Sequence, residues 1–219
     1  MTLAAVLFDM DGTLIDTEKL WDVALRELAT LYGGELSDAA RMAMLGSDAA
    51  NTMRLMSEDL GRPDIDAEAG AAWLDARVNE LFAAGVPWRP GARELVAAVR
   101  AAGVPTALVT NTSRVVVDVA LRTLGVDNFD VVICGDEVAF TKPHPEHYRA
   151  AAAALGVDPA RCVAIEDSPN GIVSALAAGC VVLGVPSEVA LDEQPGVTLV
   201  PSLEGVTPES LGRLLPNPR

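Results

Sequence analysis

Residues 3–13 read LAAVLFDMDGT, a short apolar run that stops at Asp9, followed by a second carboxylate, Asp11, and then Gly12. A continuous apolar stretch bounded by turn residues is the pattern of a strand buried on both faces. The pattern recurs at VPTALVT before Asn111, VVIC before Gly135, CVAI before Glu166 and CVVLGV before Pro186. Helical segments fall between these runs, over about residues 92–102, 114–124, 145–155 and 170–178, and Gly103, Gly125, Gly156 and Gly179 follow their ends as helix stops. VTLV at 197–200 predicts a weak last strand, and 208–215 a short last helix.

This alternation predicts right-handed strand–helix–strand units and a parallel sheet covered by helices on both faces, an α/β core of Rossmann-like type. One stretch breaks it. From about Asp16 to Val86 only helix-period segments occur: TEKLWDVALRELATLYG, LSDAARMAML, AANTMRLMSEDLG and AEAGAAWLDARVNELFAAG. Leu20, Val23, Ala24, Leu28 and Leu31 fall at three- and four-residue spacing, which predicts one buried helix face. Met42, Met44, Met53 and Met56 read as core filler of these helices. The division expected is therefore a core of residues 1–15 and 87–219 and an all-helical insertion of residues 16–86.

At 219 residues, half of them apolar, the chain has the material for one α/β domain plus a small second unit. A net charge of −15 disfavours nucleic acid and anionic lipid as partners. It also repels a small phosphate, so a phosphate site here requires a local positive source. Only Lys19 and Lys142 are lysines. Cys134, Cys162 and Cys180 lack CxxC spacing and adjoin valine-rich runs, which predicts reduced, buried thiols. With no run of 18 apolar residues and no basic segment ahead of the first apolar run, the chain reads as cytoplasmic.

Ligands of an open parallel sheet bind outside the carboxyl ends of its strands. The residues expected there are Asp9 and Asp11, then Thr110, then Glu166 and Asp167, with Lys142 in the loop after the third core strand. Four carboxylates, a hydroxyl and an ammonium thus converge on one rim. Phosphate monoesters hydrolyse so slowly that enzymes accelerate them by up to roughly 10²¹-fold. A carboxylate nucleophile divides that reaction into two easier steps. Clustered hard oxygens suit Mg²⁺, which also relieves their mutual repulsion. Lys142 supplies a point charge for the phosphoryl oxygens. His144 and His147, in HPEH beside two prolines, read as a surface turn and not as a metal pair. Ser168 and Asn170 read as caps of the following helix.

FDMDGTLIDTE, VTNTS, TKPHPEHY and IEDSPNGI resemble, in order and spacing, the four motifs of the haloacid dehalogenase-like superfamily, in its helical-cap phosphatase and phosphomutase branch. The resemblance runs from Ala5 to about Val185. It implies Asp9 as nucleophile, Asp11 as general acid/base, and Thr110, Asn111 and Lys142 around the phosphoryl group. It further implies Mg²⁺ held by Asp9, Asp167 and the main-chain carbonyl of Asp11, with Glu166 nearby, and a cap formed by the insertion. Trp21, Asn51 and Arg54 are the cap residues expected to meet the leaving group. The implied substrate is a small phosphorylated metabolite, such as a sugar phosphate. Hexose-phosphate mutases are the rival within the branch, but they carry histidine where Trp21 stands. A phospho-acceptor module without turnover is the rival outside it, and such a module has no need of a seventy-residue roof.

Overall fold

The chain is described here from a computed structural model covering residues 2–216; residues 1 and 217–219 of the expected core lie outside the described residues. The apolar runs become strands β1 (Ala5–Phe8), β2 (Thr106–Val109), β3 (Val131–Ile133), β4 (Cys162–Glu166), β5 (Val181–Gly184) and β6 (Val197–Leu199). They form one sheet in the order β3-β2-β1-β4-β5-β6, and every pairing is parallel. β1 sits centrally, with Phe8 registered against Leu108 on one side and Ile165 on the other. The chain's crossovers diverge between β1 and β4, the crevice where doubly wound sheets bind ligands.

Strand side chains alternate between faces. Along β1, Val6 and Phe8 enter one buried cluster and Ala5 and Leu7 the other. Between β1 and β2 lie α1 (Glu18–Leu31), α2 (Asp38–Ala43), α3 (Ala49–Asp59), α4 (Ala67–Ala83) and α5 (Ala92–Ala101). Then come α6 (Arg114–Leu124), α7 (Glu146–Leu155), α8 (Pro169–Ala178) and α9 (Pro208–Leu214). Helices α7 and α8 cover the face built largely of alanine and valine, including Ala5, Ala107 and Ala164, where small side chains permit close approach. The remaining face is covered by α5, α6 and α9, and its cluster continues into the helical insertion.

Two readings of the insertion need correcting. In α1 the buried stripe is Ala24, Leu25, Leu28 and Ala29, whereas Val23 and Leu31 are exposed. The true face is rotated toward Leu25 because that side presents the helix to α4; spacing alone admitted either side. Of the four methionines, Met44, Met53 and Met56 are buried but Met42 is exposed, one residue past the inward-facing Arg41. Aspartates and a serine cap the insertion: Ser37 accepts from Ala40 N, Asp48 from Asn51 N and Asp66 from Ala69 N. Ser168 likewise caps α8 by accepting from Gly171 N at 3.1 Å, while Asn170 lies inside the helix.

Leu108 on β2 is fully buried. Leu108→Ala is expected to destabilise the fold by about 2–5 kcal/mol, read as a lower urea midpoint at unchanged slope. Val115→Ala, at a half-exposed position of α6, should shift stability by no more than about 0.5 kcal/mol.

Candidate active site

Asp9 follows the last residue of β1, and its carboxylate sits beneath the crevice with 7 % exposure. The Lys142 ammonium, 5 % exposed, donates to Asp9 Oδ1 at 2.7 Å, Glu166 Oε1 at 2.7 Å and Val109 O at 2.8 Å. All three of its protons are thereby engaged. Burial by itself would lower the Lys142 pKa, but the charges of Asp9 and Glu166 outweigh it and hold the group above its ordinary range. The loop that delivers Lys142 is fastened by Asn111, whose Oδ1 accepts from Lys142 N at 2.9 Å. Asn111 Nδ2 donates to Gly46 O of the insertion at 2.9 Å.

Glu166 ends β4 and is fully buried. Its Oε1 accepts from Lys142 and from Tyr148 Oη at 2.6 Å, and its Oε2 from Asp167 N at 3.2 Å and Ser168 Oγ at 3.2 Å. Asp167 accepts from Thr13 Oγ1 at 3.2 Å and from Ser187 Oγ. Two glycines are obligatory beside these carboxylates. A Cβ on Gly12, whose φ is +77°, would stand 2.1 Å from Asp167 Oδ2; one on Gly171 would stand 1.9 Å from the Glu166 carboxyl carbon.

Burial, then the neighbouring Glu166, push the Asp9 carboxyl up to about 7, against the pull of Lys142. Burial and the charges of Asp9 and Glu166 push Asp167 well above its ordinary range. Asp9 Oδ2 is buried and, among the described residues, accepts no hydrogen bond. Carboxylate oxygens of Asp9, Glu166 and Asp167 lie within 4.8 Å of one another. An unsatisfied buried oxygen among hard anionic donors, with one ammonium against three carboxylates, fits a small divalent cation such as Mg²⁺.

Asp11 faces the insertion. Its Oδ1 accepts from Thr17 Oγ1 at 2.8 Å and Trp21 Nε1 at 3.0 Å; its Oδ2 accepts from Thr112 Oγ1 at 2.7 Å and Thr110 Oγ1 at 3.4 Å. Above the carboxylates lies a cavity of about 860 Å³ between core and insertion. Asp9, Asp11, Thr110, Asn111, Lys142, Asp167 and Trp21 line it. Asn51 and Arg54 do not: one helical turn apart, they share a face of α3 turned outward, where Arg54 pairs with Glu58 at 2.6 Å and with Asn51 at 2.8 Å. Thr52 takes the inward position. Reasoning on sequence missed Thr17, Thr112, Tyr148 and Ser187. Thr112 and Tyr148 stand inside VTNTS and TKPHPEHY, but nothing in their type or spacing marked them.

The HPEH segment is not all surface. His144 is exposed, but His147 belongs to α7 and is fully buried. Among the described residues neither of its ring nitrogens finds a hydrogen-bond partner, although the peptide groups of Thr110 and Cys134 are close by. Burial, then Lys142, push its pKa down to about 4.

A doubly wound parallel sheet, a buried carboxylate–lysine centre at its switch point and a helical roof define an α/β enzyme acting on a small enclosed ligand. The chain belongs to the haloacid dehalogenase-like hydrolases, whose family model matches residues 3–179. Within that family it is a phosphoric monoester hydrolase. Protein CbbY of Rhodobacter capsulatus is 35 % identical over 198 residues, covering 86 % of this chain and 87 % of that protein. Hexitol phosphatase A of Escherichia coli K12 is 32 % identical over 210 residues, 94 % of each. The crystal structure of CbbY from Rhodobacter sphaeroides in complex with phosphate superposes with a TM-score of 0.83 at 30 % identity, covering 93 % of this chain and 96 % of that one.

A histidine kept neutral in the fold but protonated when unfolded opposes folding in acid. Stability from His147 is fully present above about pH 6.5 and lost as pH falls toward about 4, by about 3 kcal/mol in all. His147→Leu is expected to flatten the stability profile between those values, measured by urea unfolding at a series of pH. An unchanged slope would contradict the burial-driven shift.

Proposed function

We propose that the chain is a Mg²⁺-dependent phosphatase that hydrolyses a small phosphorylated metabolite, a sugar or polyol phosphate, through a phosphorylated Asp9. The observation that carries the proposal is the Asp9 carboxylate: one oxygen is held by Lys142, the other has no hydrogen bond among the described residues, and both lie beneath an enclosed cavity. Relatives named as hexitol phosphatases and as a phosphorylated-carbohydrate phosphatase support the substrate class.

In the first step an Asp9 oxygen forms a bond to phosphorus while the ester bond breaks, and Asp11 delivers a proton to the departing oxygen. In the second, Asp11 takes a proton from water as the water oxygen attacks phosphorus, releasing phosphate and restoring Asp9. Lys142 and Thr110 steady the phosphoryl oxygens, and Asn111 holds the Lys142 loop. Mg²⁺, when bound by Asp9, Asp167 and the Asp11 carbonyl with Glu166 beside it, neutralises phosphoryl charge. Residues 16–86 serve as a cap that excludes bulk water. Trp21 is the expected leaving-group residue that lines the cavity, and its hydrogen bond to Asp11 gives it a hold on the acid/base as well. Asn51 and Arg54, turned away, are left to the cap surface. Three free, buried thiols pushed up to about 12, 11 and 12 by burial fit a reducing cytoplasm. Among the described residues no helix is long and apolar enough to cross a membrane.

Asp9→Asn should release no phosphate above background, and Asp11→Asn should be slower by roughly 10²–10⁴-fold. Wild-type activity should vanish in EDTA and return with Mg²⁺. Turnover by Asp9→Asn near the wild-type rate, or full activity in chelator, defeats the proposal. Hexose 1-phosphates should give inorganic phosphate and free sugar; a 6-phosphate isomer forming faster than phosphate would make the enzyme a mutase.

A further inference from the structure

The insertion contributes one lysine or arginine side chain to the wall of the cavity among the described residues, Arg41 at the end of α2. It is 8 % exposed, although the rest of that short helix is largely open to solvent. Its Nη2 donates to the main-chain oxygen of Glu18 at 3.0 Å and to Glu18 Oε2 at 2.8 Å. Its Nε lies 3.2 Å from Asp22 Oδ1. Among the described residues Nη1 makes no hydrogen bond, and neither does Glu18 Oε1. Glu18 also lines the cavity. Withdrawing an ion pair from water is costly and often less stabilising than an apolar pair of the same size, so its place on a cavity wall needs a reason beyond stability. Glu18 precedes Trp21 by three residues, and side chains so spaced lie roughly 5–6 Å apart on one helix face. The pair thus stands about one helical turn from the indole that touches Asp11.

We propose that Glu18 and Arg41 determine leaving-group specificity by recognising adjacent uncharged hydroxyls of a polyol or sugar, Arg41 Nη1 donating to one oxygen and Glu18 Oε1 accepting from its neighbour. This rests on the phosphatase reading above and narrows its sugar or polyol phosphates to monophosphates, not bisphosphates. A second phosphate needs a cation with charge to offer. Arg41 is already matched by Glu18 and approached by Asp22, and Asp48 and Asp75 on the same wall add further negative charge. A hydroxyl, in contrast, needs a donor and an acceptor side by side, and a site built for it rejects analogues that lack it. Orientation of the guanidinium by two bonds to Glu18 leaves Nη1 fixed and available.

The test uses the full chain with Mg²⁺ and three substrates: sorbitol 6-phosphate, fructose 1,6-bisphosphate and p-nitrophenyl phosphate. Arg41→Met should lower kcat/KM for sorbitol 6-phosphate relative to p-nitrophenyl phosphate by roughly tenfold to a hundredfold, chiefly through KM. Glu18→Gln leaves the guanidinium with Asp22 as its one remaining charged neighbour among the described residues, so the ratio of bisphosphate to monophosphate kcat/KM should rise. Where Arg41→Met melts early, the gain in bisphosphate use by Glu18→Gln decides the matter. Unchanged ratios in an active enzyme overturn the assignment of the pair and leave the phosphatase reading standing. Wild-type protein that releases phosphate from none of the three esters overturns both.

Discussion

The Lys142 ammonium, buried between Asp9 and Glu166, is the interaction around which the rest of this molecule is arranged. A buried charge is tolerated only when paired and fully hydrogen-bonded. Each of its partners fixes a piece of the fold. Asp9 and Glu166 can both reach it because β1 and β4 are adjacent parallel strands in register, Phe8 against Ile165. Val109 O is available because β2 ends on the other side of β1. Asn111, two residues past that strand, clasps the main chain of Lys142 and so fixes the height of the loop. From below, Tyr148 completes Glu166, its hydroxyl brought within 2.6 Å by the alanine-lined packing of α7.

The same arrangement leaves a charge imbalance at the centre of an acidic protein. Asp9, Glu166 and Asp167 face one ammonium, and desolvation raises both aspartates. Glu166 is largely quieted by Lys142, Tyr148 and Ser168, so the unrelieved charge lies on Asp9 and Asp167. Those two are the carboxylates nearest the cavity, with Gly12 kept bare beside Asp167. The negative field that repels a phosphate elsewhere on the surface is therefore locally reversible by one divalent cation.

Strand ends were readable in the sequence because a strand buried on both faces leaves an apolar run with a sharp polar edge, and Asp9, Thr110, Glu166 and Asp167 sit on such edges, whereas Lys142 lies in the loop after β3. Helix faces were less readable. In α1 the apolar residues spread over a wider arc than the buried stripe, so Val23 and Leu31 were as plausible as Leu25 until the position of α4 was known. His147 was misjudged because two prolines nearby suggested a loop, whereas α7 begins at Glu146, directly after the second proline. Thr17 and Thr112 carry no pattern at all. A threonine is as common on a surface turn as at a carboxylate; only the entry of the chain into the insertion assigns Thr17 to Asp11, and only the pairing of β1 with β2 assigns Thr112.

Beside the packing of α4 on α6, the side-chain hydrogen bonds between insertion and core fall on residues adjoining the chemistry. Asn111 binds Gly46 O and the Lys142 main chain with the same side chain. Thr141, one residue before Lys142, bonds to Asp48, the residue that caps α3. Ser113, just after the β2 loop, bonds to Asp75 of α4 at 2.8 Å. Trp21 bonds to Asp11 while its ring packs edge-on against Phe82 of α4. Separating insertion from core would thus free the Lys142 loop, the Thr110–Thr112 loop and the Asp11 carboxylate together. An insertion anchored at remote surface points would cover the cavity without affecting these groups. Under the proposed function, a leaving group that held the insertion down would spend the same binding energy on ordering the carboxylates beneath it.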